Sequence, residues 1–482
     1  MKVCSNIEEL LLLENKIYIY GSGFRAKTLY HFLNANGKKV CGFVTTNKEK
    51  KEMQYGVPIT CIWDNLHNAE FAHAVFVIAV QEKHCDAIEK TLRVFNVPEQ
   101  QMIYLDYCGM LKAENTDVEK MIQSQDVWNV LGDEQSKMIY KQGTKYRLTE
   151  DYSYFLEHIG EMFEDKDVLH MEGMLSFAEW SKERKYAEED KRIALYVPNR
   201  FWLGFAYPRL KEMGVRIDCI CTDNEEMCNK LLFYVPTISL ETAAKYLQGG
   251  HLIIGTGMKQ FTMEVEEKLS AAGFRKEQIV APCCQETMFN YGRQYFSLDL
   301  VKPVDDEVFI DVGCLSCETD LDFIDWNKGR YEHIYAFEPD AKNYERCLGI
   351  IERNGIENIT LVNKGLWDCK TKLCFESNIN PSLSKIQDVG EEVIETITLD
   401  EFLDGKRATF IKMDIEGAEM EALRGAAETI KQHKPRLAIS IYHKVNDFID
   451  IPEYLLSLVP EYKFYIRHYS CYKFETILYA LI

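Results

Sequence analysis

The chain has 482 residues, of which 46% are hydrophobic, 12% aromatic and 27% charged, with a formal net charge of -20. That length implies roughly two to four domains, and the composition excludes an overall disordered or collagen-like chain. The acidic balance would repel a phosphate backbone, so nucleic acid is not an expected partner. Sixteen scattered cysteines do not resemble the disulfide framework of a small secreted protein. Residues 1–13 lack a basic stretch followed by an apolar signal core, and a reducing, cytoplasmic setting is expected. No apolar run approaches the length of a membrane span; 74–80 and 436–442 are strand-length.

The chain repeats itself. Residues 16–107 and 191–284 follow one plan: Lys16-Ile17-Tyr18-Ile19-Tyr20 answers Arg192-Ile193-Ala194-Leu195-Tyr196, and Val57-Pro58 answers Val235-Pro236. In each copy β-branched runs alternate with helical patterns, which is how a parallel sheet with crossover helices reads. We therefore expect a Rossmann-like module over 1–110, a helical connector over 111–190 and a second, degenerate module over 191–285. Strand and helix alternation then resumes over 286–482, with strands expected at 308–312, 333–337, 359–363, 410–413, 436–441, 463–467 and 476–481. The fold class is α/β, with three doubly wound domains. The last two strands follow each other directly, so the final sheet has seven strands with an antiparallel last one, the layout of class I methyltransferases.

Four strand tips in this last region carry chemistry. Asp311-Val312-Gly313 ends a buried strand and opens a helix, where glycine allows close backbone approach and the helix N-terminus favours negative groups. Glu338-Pro339-Asp340 follows roughly 25 residues on, placing an acid where it can accept from both ribose hydroxyls. Asp414 lies at the tip of the fourth strand with Glu416 beside it, and His443 at the tip of the fifth, a candidate base by its intrinsic pKa. Lys412 reads as a sheet residue or a charge partner for these acids. Asp414, Glu416 and His443 together also present an oxygen-rich set suited to Mg2+. Cys314 and Cys317 have the spacing of a zinc half-site, which Cys283 and Cys284 could complete, but the spacing is irregular and the loop has another use. No metal is expected.

The strings F-I-K-M-D-I-E-G-A-E-M-E-A (410–422), L-A-I-S-I-Y-H-K (437–444), A-F-E-P-D (336–340) and E-T-I-L-Y-A (475–480) together resemble the FkbM family of S-adenosylmethionine-dependent O-methyltransferases over about 290–482. The segment 131–137 resembles the stretch that often precedes that domain. The resemblance implies S-adenosylmethionine as cofactor, with Asp311, Gly313, Cys314 and the following loop on its methionine part, Glu338 on the ribose, and Trp367 and Asp368 on the adenine; Asp414 borders the same site. It also implies a hydroxyl acceptor on a sugar or related metabolite. Where the family pattern has a second glycine this chain has Cys317, which removes conformational freedom from the loop. His443 is the expected base, with Asp414 holding the acceptor or orienting His443. Glu416, and Ser382 and Ser384 in a polar loop between the third and fourth strands, are expected to meet the acceptor.

The first module carries G-x-G-x-x-A at a strand-to-helix turn, Gly21 to Ala26, but its second strand ends in Val44-Thr45-Thr46-Asn47, with no acid for a ribose. It resembles nucleotide-sugar-binding or CoA-binding-like Rossmann domains, and Gly21 and Gly23 are expected to hold a phosphorylated or nucleotide-linked acceptor. The second copy has lost these glycines and reads as scaffold or dimer contact. The expectation is thus a cytoplasmic O-methyltransferase acting on a carbohydrate or small metabolite, with no membrane span and a homodimer as one assembly. An inactive nucleotide-sugar-binding or scaffold protein is the alternative, and a dehydrogenase using Gly21 to Ala26 a weaker third.

Overall fold

The computed structural model describes residues 1–49, 52–65, 71, 73–107, 110, 121–122, 125–149, 192–198, 203, 207, 210, 215–225, 227–232, 235–247, 250–254, 268–280, 294–296, 300–376, 385–387, 392–469 and 474–482. It forms two compact units: Met1–Met162 with Tyr295–His468 and Lys473–Ile482, and Phe163–Gln294 with Tyr469–Tyr472. Among the described residues no helix is long and apolar enough to cross a membrane.

The first unit opens with seven strands, β1 (Lys2–Cys4), β2 (Lys16–Tyr20), β3 (Val40–Thr45), β4 (Met53–Gln54), β5 (Val57–Cys61), β6 (Ala74–Ile78) and β7 (Met102–Leu105). They lie side by side as β1-β7-β6-β2-β3-β5-β4, all parallel except the β4/β5 hairpin. The inner strand β6 is buried along its whole length, and its run of Ala, Val, Phe and Ile suits a strand covered on both faces. The second unit has β8 (Ile193–Tyr196), β9 (Cys219–Thr222), β10 (Lys230–Leu232), β11 (Val235–Ser239), β12 (His251–Ile254) and β13 (Ile279–Val280), in the order β10-β11-β9-β8-β12-β13. From its other edge this path, β13-β12-β8-β9-β11-β10, matches β7-β6-β2-β3-β5-β4. The internal repeat in the sequence is a repeat of topology.

The remaining strands are β14 (Glu307–Val312), β15 (Tyr331–Phe337), β16 (Ile359–Val362), β17 (Gly365–Leu366), β18 (Lys372–Glu376), β19 (Lys385–Gln387), β20 (Glu392–Ile397), β21 (Phe410–Met413), β22 (Arg436–Ser440), β23 (Lys463–His468) and β24 (Thr476–Leu481). Seven of them form the sheet β16-β15-β14-β21-β22-β24-β23, with β24 antiparallel to both neighbours. All seven expected strands are present. The chain winds outward from β14 to β16, then restarts at β21 and winds the other way, so the switch point lies between β14 and β21, where an open α/β sheet binds its ligand. A four-stranded sheet, β17-β20-β18-β19, fills the connection to β21, where no strand was expected.

Strand β14 is entirely buried although it contains two acids. Each is paired across the sheet: Glu307 with Arg436 and Thr409, and Asp311 with Lys412, its direct neighbour in register. Behind β14 the rings of Phe296, Phe309, Phe323, Trp326 and Phe410 pack together, Phe309 stacked on Phe323 at 4.3 Å. This fixes the helix Glu318–Asn327 against the sheet, and with it the loop that follows β14.

Two features join the first sheet to this one. The helix Glu134–Thr149 lies along the edge strand β23: Gly132 N–H donates to Phe464 O at 2.8 Å, Ser136 Oγ accepts from Ile466 N–H at 2.9 Å, and Arg467 pairs with Asp133 at 2.7 Å. A Cβ on Gly132 would lie 2.4 Å from the Tyr465 ring, so the approach depends on glycine. From the other side, the helix Phe24–Ala35 meets the helix Asp447–Leu458, with Lys27 on Asp450 and the Tyr55 hydroxyl donating to Glu453 at 2.9 Å.

Candidate functional site

The loop after β14 is drawn tightly onto its neighbours. Gly313 and Cys314 both donate to Phe337 O, and Lys412 Nζ donates to Gly313 O at 2.7 Å. Gly313 has φ +83°, and a Cβ there would lie 2.2 Å from Asp414 O. Only glycine lets the β14 tip and the β21 tip approach this closely. Leu315 and Cys317 also have positive φ, 51° and 55°. A side chain in that region costs about 1–2 kcal/mol per residue. The substitution of glycine by Cys317 therefore leaves the backbone in the conformation glycine would take, at a cost.

Glu338, at the tip of β15, is buried and holds this loop: Oε2 accepts from Leu315 N–H at 3.0 Å and Oε1 from Asp340 N–H at 2.9 Å. Burial is the main reason its carboxyl is pushed up to about 7, against the lowering effect of these N–H groups. The Asn343 side chain also hydrogen-bonds to this carboxyl, and a carboxylate has about four acceptor sites in all. Below the loop, Asp311 and Lys412 form a fully buried pair at 2.8 Å, and Asp311 Oδ2 has no donor among the described residues. Burial pushes Lys412 down, but the carboxylates of Asp311 and Asp414 outweigh it and keep the ammonium charged.

Across the switch point Asp414 receives the Tyr295 hydroxyl at 2.6 Å and is 3.4 Å from the Tyr442 hydroxyl. His443 lies beside it. Its Nδ1 is 2.8 Å from Glu419 Oε1, and its Nε2 is 3.5 Å from both Asp414 and Glu416. Burial lowers the His443 pKa, yet Glu419, Asp414 and Glu416 together overcome it and raise it to about 10. At neutral pH this ring is an imidazolium set among three carboxylates. Asp414, Glu419 and His443 also present their ligand atoms within 4.8 Å of one another, a geometry open to a cation once the histidine loses its proton.

The structure thus brings Asp311, Gly313, Glu338, Asp414, Glu416 and His443 to one end of the sheet. Trp367 and Asp368 stand at the end of β17; Trp367 N–H donates to Ile397 O, its carbonyl lies against Gly425, and Asp368 is exposed. Neither hydrogen-bonds to the Asp414 group among the described residues. Ser382, Ser384, Cys283 and Cys284 lie outside the described residues. Gly21 has φ +117° and donates to Val44 O at 2.8 Å, and the Cβ position of exposed Gly23 is 3.9 Å from Asn446 Oδ1. The first module's glycine turn therefore abuts the segment that begins with His443. Sequence reading missed Tyr295, which lies before the sheet and has no local pattern, and the His443 contact of Glu419, read only as one more acid in the 410–422 string.

Residues 317–465 match the family model described as methyltransferase FkbM domain. Asp311, Gly313 and Cys314 precede that span. Among solved structures, one described as methyltransferase FkbM from Methylobacillus flagellatus KT is 18% identical with a TM-score of 0.41, covering 99% of this chain and 94% of its own. A putative methyltransferase from Streptococcus mutans in complex with SAH is 11% identical with a TM-score of 0.25, covering 38% and 93%. Aeropyrum pernix fibrillarin with bound S-adenosyl-L-methionine is 11% identical with a TM-score of 0.27, covering 40% and 76%. None of the three is close enough to carry an argument about this chain. No curated protein matches it.

Proposed function

Because residues 317–465 are a methyltransferase FkbM domain, we propose that the protein transfers a methyl group from S-adenosylmethionine to a hydroxyl oxygen of a carbohydrate or related metabolite. The observation that carries this reading is the meeting of Glu338, the Gly313 loop and the Asp414–His443 pair at one switch point. S-adenosylmethionine, when bound, supplies a methyl group on a positively charged sulfur, open to attack by an oxygen nucleophile.

The residues present fit that cofactor. Glu338 is a buried carboxylate with acceptor capacity left beyond Leu315, Asp340 and Asn343, suited to a ribose hydroxyl. Asp311, Gly313 and Cys314 are assigned to its methionine part, and Trp367 and Asp368 to the adenine. A surplus of acidic side chains around Asp414 favours a cationic ligand.

An alcohol becomes a useful nucleophile as its proton leaves. Asp414 and His443 are assigned to that proton. With its pKa raised to about 10, His443 is a donor at neutral pH, so Asp414 accepts the proton while His443 and the two tyrosine hydroxyls hold the carboxylate in place. His443 acts as base only after losing its own proton. Glu416 and the turn of Gly21 and Gly23 are assigned to the acceptor; the support is that a Cβ on Gly23 would lie 3.9 Å from Asn446 Oδ1. The test is methyl transfer from labelled cofactor to a panel of sugars and nucleotide sugars. Product carrying the label on oxygen supports the reading, and label appearing only on nitrogen or carbon acceptors overturns it.

A further inference from the structure

Beneath the β14 loop lies a group of thiols that take no part in the proton and methyl steps of the proposed reaction. Cys314 and Cys317 come from the loop and Cys347 from the helix Ala341–Asn354; all three are buried. Their sulfurs are 3.8 Å apart for Cys314 and Cys347 and 4.0 Å for Cys314 and Cys317, and all three lie within 4.8 Å of one another. A disulfide needs its sulfurs at about 2.05 Å. A tetrahedral zinc with Zn–S bonds of about 2.3 Å holds its sulfurs about 3.8 Å apart.

An independent observation points to the same place. Asp320, in the first turn of the helix Glu318–Asn327, is fully buried, and neither of its oxygens meets hydrogen-bond geometry with any donor among the described residues. The Cys317 thiol interacts with this carboxylate, which sets it against the cluster. A buried carboxylate left in this state is costly, whereas a metal ligand there is not.

We propose that Cys314, Cys317, Cys347 and Asp320 form a structural zinc site that fastens the loop after β14 to the two helices flanking it. The three sulfurs stand within 4.8 Å of one another and Asp320 lies outside that group, so its carboxylate shifts on loading to complete the closed tetrahedron of a structural rather than a catalytic zinc. Loading forms three Zn–S bonds and one Zn–O bond, and the thiol protons pass to water. The buried Lys412 ammonium, which interacts with Cys314, offsets part of the negative charge of the filled site. The site also gives a physical reason for two positive-φ side chains, Leu315 and Cys317, in one short loop: ligation holds a conformation that the chain alone disfavours. The inference stands apart from methyl transfer and survives if that reading fails.

The experiment uses the full chain, loaded with zinc, dialysed against a weak chelator and assayed by elemental analysis. About one zinc per chain is expected, falling below about a tenth in Cys347→Ser and in Cys314→Ser, and unchanged in Cys369→Ser, which alters an exposed cysteine far from the loop in sequence. Zinc retained equally by all four proteins, or by none, overturns the site. Because a core cysteine variant can misfold, cobalt substitution of the unaltered chain gives a second reading. Thiolate-to-cobalt charge transfer with the strong visible bands of a tetrahedral ion is expected. An octahedral spectrum without charge transfer, or a Cys314–Cys347 disulfide found by peptide mapping of freshly purified protein, contradicts the proposal.

Discussion

The chain contains two strand-to-helix turns of the same local form, and they differ in what surrounds them. The turn after β2 has two glycines, Gly21 and Gly23, and the acid that follows the next strand, Glu49, is exposed and accepts from the Ser22 hydroxyl between them at 2.9 Å. The turn after β14 has one glycine and two strained side chains, yet Glu338, the Asp311–Lys412 pair, Asp414 and His443 close around it. By glycine pattern alone the first turn is the better nucleotide site. By buried charge it is the poorer one. Glycine makes close approach possible, while convergent, desolvated, titratable groups mark where chemistry is done.

The sharpest way to break this comparison is to add one methyl group to each turn. Gly313→Ala places a Cβ 2.2 Å from the Asp414 carbonyl, at a φ that disfavours it, so cofactor binding and turnover should fall by more than roughly 100-fold. Gly21→Ala meets the Val80 side chain at 3.1 Å and the Ala79 carbonyl at 3.2 Å, at a φ of +117°, and should cost about 2–3 kcal/mol of stability, raising the acceptor KM and leaving cofactor affinity intact. Equal loss in both variants would remove the distinction.

Next in size is the proton-handling pair. Asp414→Asn should lower kcat by roughly 100-fold to 10,000-fold with cofactor affinity preserved, as measured by turnover alongside titration. A smaller fall for His443→Gln than for Asp414→Asn fits a donor role for His443; the reverse order would restore the histidine as base.

Two pH effects follow and are smaller. Glu338, pushed up to about 7 by burial, accepts hydrogen bonds best when ionised. Cofactor affinity should therefore rise between about pH 6 and 8, and the dependence should vanish in Glu338→Gln. His443 is raised from 6.5 to about 10. Its contribution to stability is full below pH 6.5 and is lost as pH rises through about 10. Thermal unfolding should show that decline in the unaltered chain and a shallower one in His443→Gln.

Much of the frame was legible in the sequence. The apolar runs that become β14, β21 and β22 are buried on both faces, and such strands announce themselves by continuous hydrophobicity. The internal repeat likewise reappears as a shared strand order. Short paired strands such as β17 and β19 carry too few residues to show a period, so the four-stranded sheet was not expected. Within the site, residues at strand tips could be read because topology places them at one end of the sheet. Tyr295 and Cys347 could not, since each reaches its partners from a distant segment. The charge state of His443 was hidden for the same reason: its intrinsic pKa suggested a base, and three carboxylates from another strand tip and helix reverse that.

The central claim is that the β14 turn, and not the β2 turn, holds S-adenosylmethionine. Calorimetric titration of this cofactor into the intact protein, Glu338→Ala and Gly21→Ala tests it most directly. The account predicts near-micromolar binding to the intact chain and to Gly21→Ala, weakened by roughly 10-fold to 100-fold in Glu338→Ala. Undiminished binding in Glu338→Ala, or binding abolished only in Gly21→Ala, would contradict it.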